Sequence, residues 1–324
     1  MASGAVLIGS LGWGGSARIG SIGLAADNGS NGSNGRIAFM RLDVAADDFF
    51  VWSANPDGTH EELVVPYPAE RPHWSPDGKE LLFLCCDSAR ILTLATGDVR
   101  VLGAQPDLFL GCLAWTADAE RLLCEGYGDT DPALNGIYSR RASDGGGVLR
   151  ITANPDGSDI PQDISPDGSR LVFISDRDSN ALFIVNLDGS DLERLDTGGL
   201  LDVSSASWSP DGNWIVFPAR KGAGERRSLF LIRPDGSGIH EIVMNPACGG
   251  LGSDRDSRGC LDPVWSPDGS RILFAILPAN TRQKRLFTVL VDGSHLTKVT
   301  RHGFVQGDPG EGEAAPDWGT YPLQ

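Results

Sequence analysis

From residue 36 onward, apolar positions come in short runs. Each run stops at a cluster of Gly, Pro, Asp or Ser. The runs at 81–84, 171–174 and 272–274 are too short for helices and rich in Leu, Ile, Val and Phe, so they predict buried strands. Asp-Gly pairs then divide further runs: Asp188-Gly189 between 182–185 and 192–195, Asp235-Gly236 between 229–232 and 241–243, Asp292-Gly293 between 286–290 and 296–300. Asp-Gly between apolar runs is a strong hairpin signal, because both turn positions favour φ > 0.

The pattern repeats. Trp74-Ser75-Pro76-Asp77-Gly78 returns at Trp208 to Gly212 and at Trp265 to Gly269. Ile164 to Gly168 has Ile for Trp, Trp115-Thr116-Ala117-Asp118 is a worn copy, and Trp318-Gly319-Thr320 is truncated. The anchors at 74, 115, 164, 208, 265 and 318 are spaced 41, 49, 44, 57 and 53 residues apart. Nine residues after an anchor stand Phe83, Cys124, Phe173, Phe217 and Phe274. Pro fixes φ, Asp bonds back to the backbone and Gly takes φ > 0, so Ser-Pro-Asp-Gly reads as the turn of a hairpin. Two hairpins per repeat make four antiparallel strands, the unit of a β-propeller blade. Residues 36–65 hold the back of a blade with no anchor strand, and Pro316-Asp317-Trp318 is an anchor strand with no blade behind it. Pairing the two halves closes a ring and removes its open edges. The prediction is an all-β, six-bladed propeller over residues 35–324, about 48 residues per blade.

The repeated Pro-x-Trp-Ser-Pro-Asp-Gly, the apolar run and the later Asp-Gly turn resemble the TolB-type, or PD40, propeller repeat. Blade two departs from it, with Ala117-Asp118-Ala119-Glu120 in place of Pro-Asp-Gly. The resemblance implies a six-bladed propeller, often extracytoplasmic and often a protein-binding module. TolB also carries an N-terminal α/β domain. Only about 34 residues stand there in this sequence, so the partner of TolB is not carried over.

Composition narrows the function classes. The 324 residues carry a net charge of −16, which disfavours nucleic acid and anionic membrane surfaces as partners. At 40% hydrophobic residues there is enough for a full core. Gly 42 and Pro 20 argue against long helices. No apolar run reaches the ~18 residues of a spanning helix. Residues 1–26 are small and apolar with one basic residue, Arg18, and read as a degenerate signal or anchor or as a disordered extension. Residues 27–35, rich in Gly, Ser and Asn, read as a flexible linker, so 1–34 form a leader.

Cys248 and Cys260 lie 12 residues apart in one insertion and form a candidate disulfide, which would fit export. Cys124 takes the place of a buried Phe and reads as a core thiol, with Cys85, Cys86 and Cys112 undecided. No C-x-x-C pair points to zinc.

Candidate chemistry sits where inner strands approach the channel. One residue before each anchor stand His73, Ala114, Asp163, Ser207, Val264 and Asp317. Three before stand Arg71, Cys112, Pro161, Ser205, Asp262 and Ala315. Arg71, His73, Asp163, Asp262 and Asp317 are therefore the candidate binding residues of the channel mouth. Such a set could bind a polar ligand, hold a divalent metal through His and carboxylates, or line a water-filled channel. The repeated Asp77, Asp167, Asp211 and Asp268 are expected to fix their own turns rather than bind calcium. The stretch 254–259 resembles part of an EF-hand loop, but Arg258 stands where a ligand is needed, so it reads as an exposed loop tip. His60, His240 and His295 are expected at solvated edges, while His302 could reach a channel face. No Gly-x-Ser-x-Gly, phosphate loop or His-Glu-x-x-His occurs. Prolyl-peptidase-type enzymes use such propellers as gates beside a hydrolase domain, for which these residues leave no room.

Two insertions, 244–262 and 301–315, precede anchor strands and are expected at the channel-mouth end. The expected function is therefore a non-catalytic, monomeric propeller that binds a protein or peptide on that face, periplasmic or secreted. A lyase or hydrolase with a site at the channel mouth is the alternative. A carbohydrate-binding module comes third.

Overall fold

The computed structural model describes residues 34–43, 46–243, 259–276, 284–299 and 313–320. The leader over 1–33, Cys248, His302 and most of both insertions lie outside these residues.

The repeated turn is built as its residues dictate. In the first blade the Ser75 hydroxyl donates to Asp77 Oδ1 at 2.8 Å, and the same oxygen accepts the Lys79 N–H at 3.1 Å. Gly78 N–H donates to Ser75 O at 2.8 Å, with Gly78 at φ 67°. Asp167, Asp211 and Asp268 make the same bonds, so these carboxylates fix turns as expected. The worn copy keeps the geometry: Thr116 donates to Asp118 at 2.5 Å, and Ala119 takes the glycine's left-handed place at φ 58°.

Each turn joins two strands of a four-stranded antiparallel sheet, and six such sheets form. The first runs from inner strand Glu70–Trp74 through Glu80–Cys85 and Ser88–Thr93 to outer strand Asp98–Val101. The others begin at inner strands Leu108–Trp115, Asp159–Ile164, Ser207–Trp208 and Cys260–Trp265. In the sixth, the C-terminal strand Glu313–Trp318 pairs with Ile37–Asp43, which pairs with Asp48–Ala54 and then Glu62–Val65. Ile37 faces Trp318 across this seam, so the two chain ends complete one blade.

The core lies between blades. Each sheet offers one face to the preceding blade and the other to the following one, because side chains alternate along a strand. Val172, Ile174 and Leu182 of the third blade pack against Trp208, Phe217 and Phe230 of the fourth. At the seam, Leu273 and Leu286 of the fifth blade pack against Ile37, Phe39 and Trp318. Six clusters of this kind go once around the ring. Phe83, Phe173, Phe217 and Phe274 are fully buried, as their shared offset predicts.

Cys124 corrects the expectation of a core thiol. It is bonded to Cys112, which sits opposite it on the neighbouring strand. Cys260 is also disulfide-bonded. Its expected partner, Cys248, lies outside the described residues.

Candidate functional site

An inner strand is the edge of its sheet, so alternate N–H groups point into the channel with no ladder partner. Two aspartates satisfy such groups across blade boundaries. Asp317, in the closing strand, accepts the Trp74 N–H of the first blade at 2.6 Å. Asp163, in the third blade, accepts the Trp208 N–H of the fourth at 2.7 Å and the Ser207 hydroxyl at 3.0 Å. Its other oxygen accepts the Ile164 N–H at 2.8 Å. Elsewhere the anchor indole crosses the boundary instead. Trp115 Nε1 donates to the His73 carbonyl and Trp265 Nε1 to the Ser207 carbonyl, both at 3.1 Å.

All six residues one before the anchors, His73, Ala114, Asp163, Ser207, Val264 and Asp317, line a single channel cavity of about 170 Å³. The convergence of His73, Asp163 and Asp317, far apart in sequence, is thus present. The cavity also touches Trp74, Pro76 and Trp115, so it lies toward the Ser-Pro-Asp-Gly end of the inner strands.

Protein surrounds these groups, and burial governs their charge. His73 is lowered to about 4 by burial and then by the Arg71 charge, so its imidazole is neutral at pH 7. Burial pushes Asp163 up to about 6. Asp317 is pushed up to about 7, by burial first and by the Asp163 charge as well, against the hydrogen bond from Trp74. Among the described residues, no three His, Cys, Asp or Glu side chains are grouped to hold a metal ion.

Arg71 and Asp262 do not line this cavity. They stand three residues before their anchors at φ 50° each, and Ala315 matches them at φ 45°. The register of the first and fifth inner strands shifts at the same place. A bulge therefore turns these positions away from the pleat. Asp262 lies with Oδ2 3.5 Å from the Ala315 N–H of the next blade. Arg71 is exposed, and its charge acts on a group that the repeat pattern did not reveal, Glu125 and Tyr127 of the second blade. The Tyr127 hydroxyl lies 2.9 Å from Ser158 Oγ and donates to Glu125 at 3.3 Å. Burial pushes the Glu125 carboxyl up, while Arg71 and Tyr127 pull it down. Only the alternation of Glu125 and Tyr127 with Cys124 and Gly126 hinted that they share a face.

His60, His240 and His295 are exposed, as expected, with His240 opening the outer strand His240–Val243. The remaining buried carboxylate cluster is a bracing network: Asp159 accepts from Thr152, Asn154 and Ser175 and pairs with Arg177.

The ring of four-stranded blades and its anchor motif define a class of propeller. Residues 29–310 match the TolB beta propeller domain, PD40, and the chain belongs to that family. It is similar to an uncharacterized peptidase, YuxL, of Bacillus subtilis, 32% identical over 139 residues, 34% of this chain and 20% of that protein. It is similar to the Tol-Pal system protein TolB of Bordetella pertussis, 30% identical over 145 residues, 43% of this chain and 32% of that protein. The chain thus spans a third or less of the length of these curated relatives. The crystal structure of TolB from Acinetobacter baumannii superposes with a TM-score of 0.68 at 19% identity, covering 89% of this chain and 67% of that one.

Proposed function

We propose that this chain is a non-catalytic propeller that binds a protein or peptide on the channel-mouth face. The observation that carries this reading is the use of Asp163 and Asp317. Both accept backbone N–H groups from the next blade, which ties them to ring closure rather than to acid–base work. His73 is neutral and deep in the channel. That leaves the exposed Arg71, beside Glu125 and Tyr127, as the reactive polar surface of the mouth. Outer strands such as His240–Val243 end at this face and inner strands such as Cys260–Trp265 begin there.

A lyase or hydrolase reading finds no metal-holding group among the described residues. A carbohydrate module would offer exposed rings, whereas the large exposed apolar side chains among the described residues are Leu and Val. Extracytoplasmic placement is part of the proposal. The Cys112–Cys124 disulfide and the bonded Cys260 favour an oxidising compartment. No helix of the described residues is long and apolar enough to cross a membrane.

The test is capture on the two faces of the ring. Immobilised full chain is compared with Arg71→Glu at the mouth and Lys79→Glu at the exposed turn of the opposite face. A partner held by wild type and Lys79→Glu, and lost at least about tenfold with Arg71→Glu, is the expected result, since reversing a charge in a contact costs over 1.4 kcal/mol. Equal retention by both variants, loss only with Lys79→Glu, or no retained partner would overturn the proposal.

A further inference from the structure

Cys85 and Cys86 are the two free cysteines among the described residues, and they adjoin in a turn that does not call for cysteine. Cys85 ends strand Glu80–Cys85 and pairs with Ser88, so Cys86 and Asp87 form a two-residue hairpin loop. Both are left-handed, at φ 53° and 60°. Such loops select Asn, Asp or Gly, because a side chain with an ordinary Cβ costs roughly 1–2 kcal/mol there. Asp87 fits that rule and Cys86 does not. Nor does packing explain Cys86, since its side chain is exposed. Its conformation instead turns Sγ to within 2.7 Å of the buried Cys85 Sγ. The Ser88 hydroxyl donates to the Cys85 carbonyl at 2.9 Å and holds the turn closed.

We propose that Cys85 and Cys86 are a reversible oxidation site, a dithiol that a small-molecule disulfide closes into a ring between adjacent residues. The first step is attack by the exposed Cys86 sulfur on one sulfur of the oxidant. One S–S bond breaks, a mixed disulfide forms, and one thiol leaves with the Cys86 proton. The Cys85 sulfur then attacks Cys86 Sγ, the second thiol leaves with the Cys85 proton, and the ring closes. The protein loses two electrons and two protons, and the oxidant becomes two thiols. Burial pushes the Cys85 thiol up to about 12, which reserves the first attack for Cys86. Exposure makes the closed bond open to reductants, unlike Cys112–Cys124, whose residues are fully buried. The loop lies at the end of the ring opposite the Ser-Pro-Asp-Gly turns.

The test equilibrates the native full chain across a series of reduced-to-oxidised glutathione ratios. Free thiols are then alkylated and peptides are mapped by mass without reduction. The expected result is that the peptide holding both cysteines loses two hydrogens as the ratio turns oxidising and regains them on reduction, while Cys112–Cys124 stays closed throughout. The variant Cys86→Asn keeps a turn-favouring residue. Its melting temperature should match wild type, and Cys85 should stay alkylatable after unfolding at every ratio. A stable single glutathione adduct on Cys86, or two alkylated thiols at every ratio, would overturn the proposal.

Discussion

Replacing Trp318 with Ala should lower stability by about 3–5 kcal/mol, the usual cost of truncating a buried indole. Trp318 is 6% exposed and packs with Ile37, Phe39 and Leu273 at the seam between the first and last strands. Its Nε1 donates to the Gly35 carbonyl at 3.1 Å, and Gly319 N–H donates to the Arg36 carbonyl. Loss of this contact frees the strand that closes the ring and exposes two sheet edges, where aggregation starts. The melting temperature should fall by roughly 5–8 °C at this chain length. Thermal melts of purified Trp318→Ala check it. A shift indistinguishable from that of an exposed substitution such as Leu149→Ala would mean that the C-terminal strand does not close the ring.

Asp317→Asn should match wild type in acid and become the more stable of the two as pH rises. The ordinary Asp value lies near 4, and Asp317 is raised in the fold to about 7. A raised acid contributes stability below its unfolded value and loses it as pH climbs through the folded one. Asn keeps an oxygen for the Trp74 N–H and cannot ionise. The two proteins should therefore melt alike near pH 4, and the variant should be more stable at pH 8 by on the order of 2 kcal/mol, since the side chain borders a cavity and is not fully enclosed. Asp163, raised to about 6, adds a smaller term of the same sign. His73 acts oppositely. Its folded value of about 4 lies below the ordinary one, so its contribution is present above pH 6.5 and lost as pH falls toward 4. Most of the Asp317 loss falls between pH 4 and 7, and comparing variant with wild type at each pH removes the His73 contribution common to both. A variant less stable than wild type at pH 8 would show instead that the ionised carboxylate is held by a favourable partner.

The fold was legible because one motif carries several constraints at once. The Trp packs between blades, the Ser and Asp make the turn, and the Phe nine residues on is buried by the same alternation. Those roles depend on residues close in sequence, so repetition exposes them. The cavity lining was also legible: position relative to the anchor places His73, Asp163 and Asp317 in one channel. Their task was not. Nothing in the sequence says that a carboxylate faces an unpaired N–H on the next blade, since that depends on how blades are rotated about the ring. The Cys112–Cys124 bond was hidden by a bulge. Trp115 faces Leu122 and Ala114 faces Leu123, so regular pairing would set Leu113 opposite Cys124. The register slips by one between Cys112 and Ala114, and Cys112 takes that place. The same kind of bulge carries Arg71 and Asp262 away from the cavity that their spacing suggested.

The direct measurement is the metal content of the purified full chain, with melts before and after EDTA, repeated on His73→Ala. If Asp163 and Asp317 serve the ring, metal should be well below one ion per chain and the melt should not move with EDTA. One ion per chain, lost in His73→Ala and removed by EDTA with a fall in melting temperature, would contradict that role and make the channel a metal site.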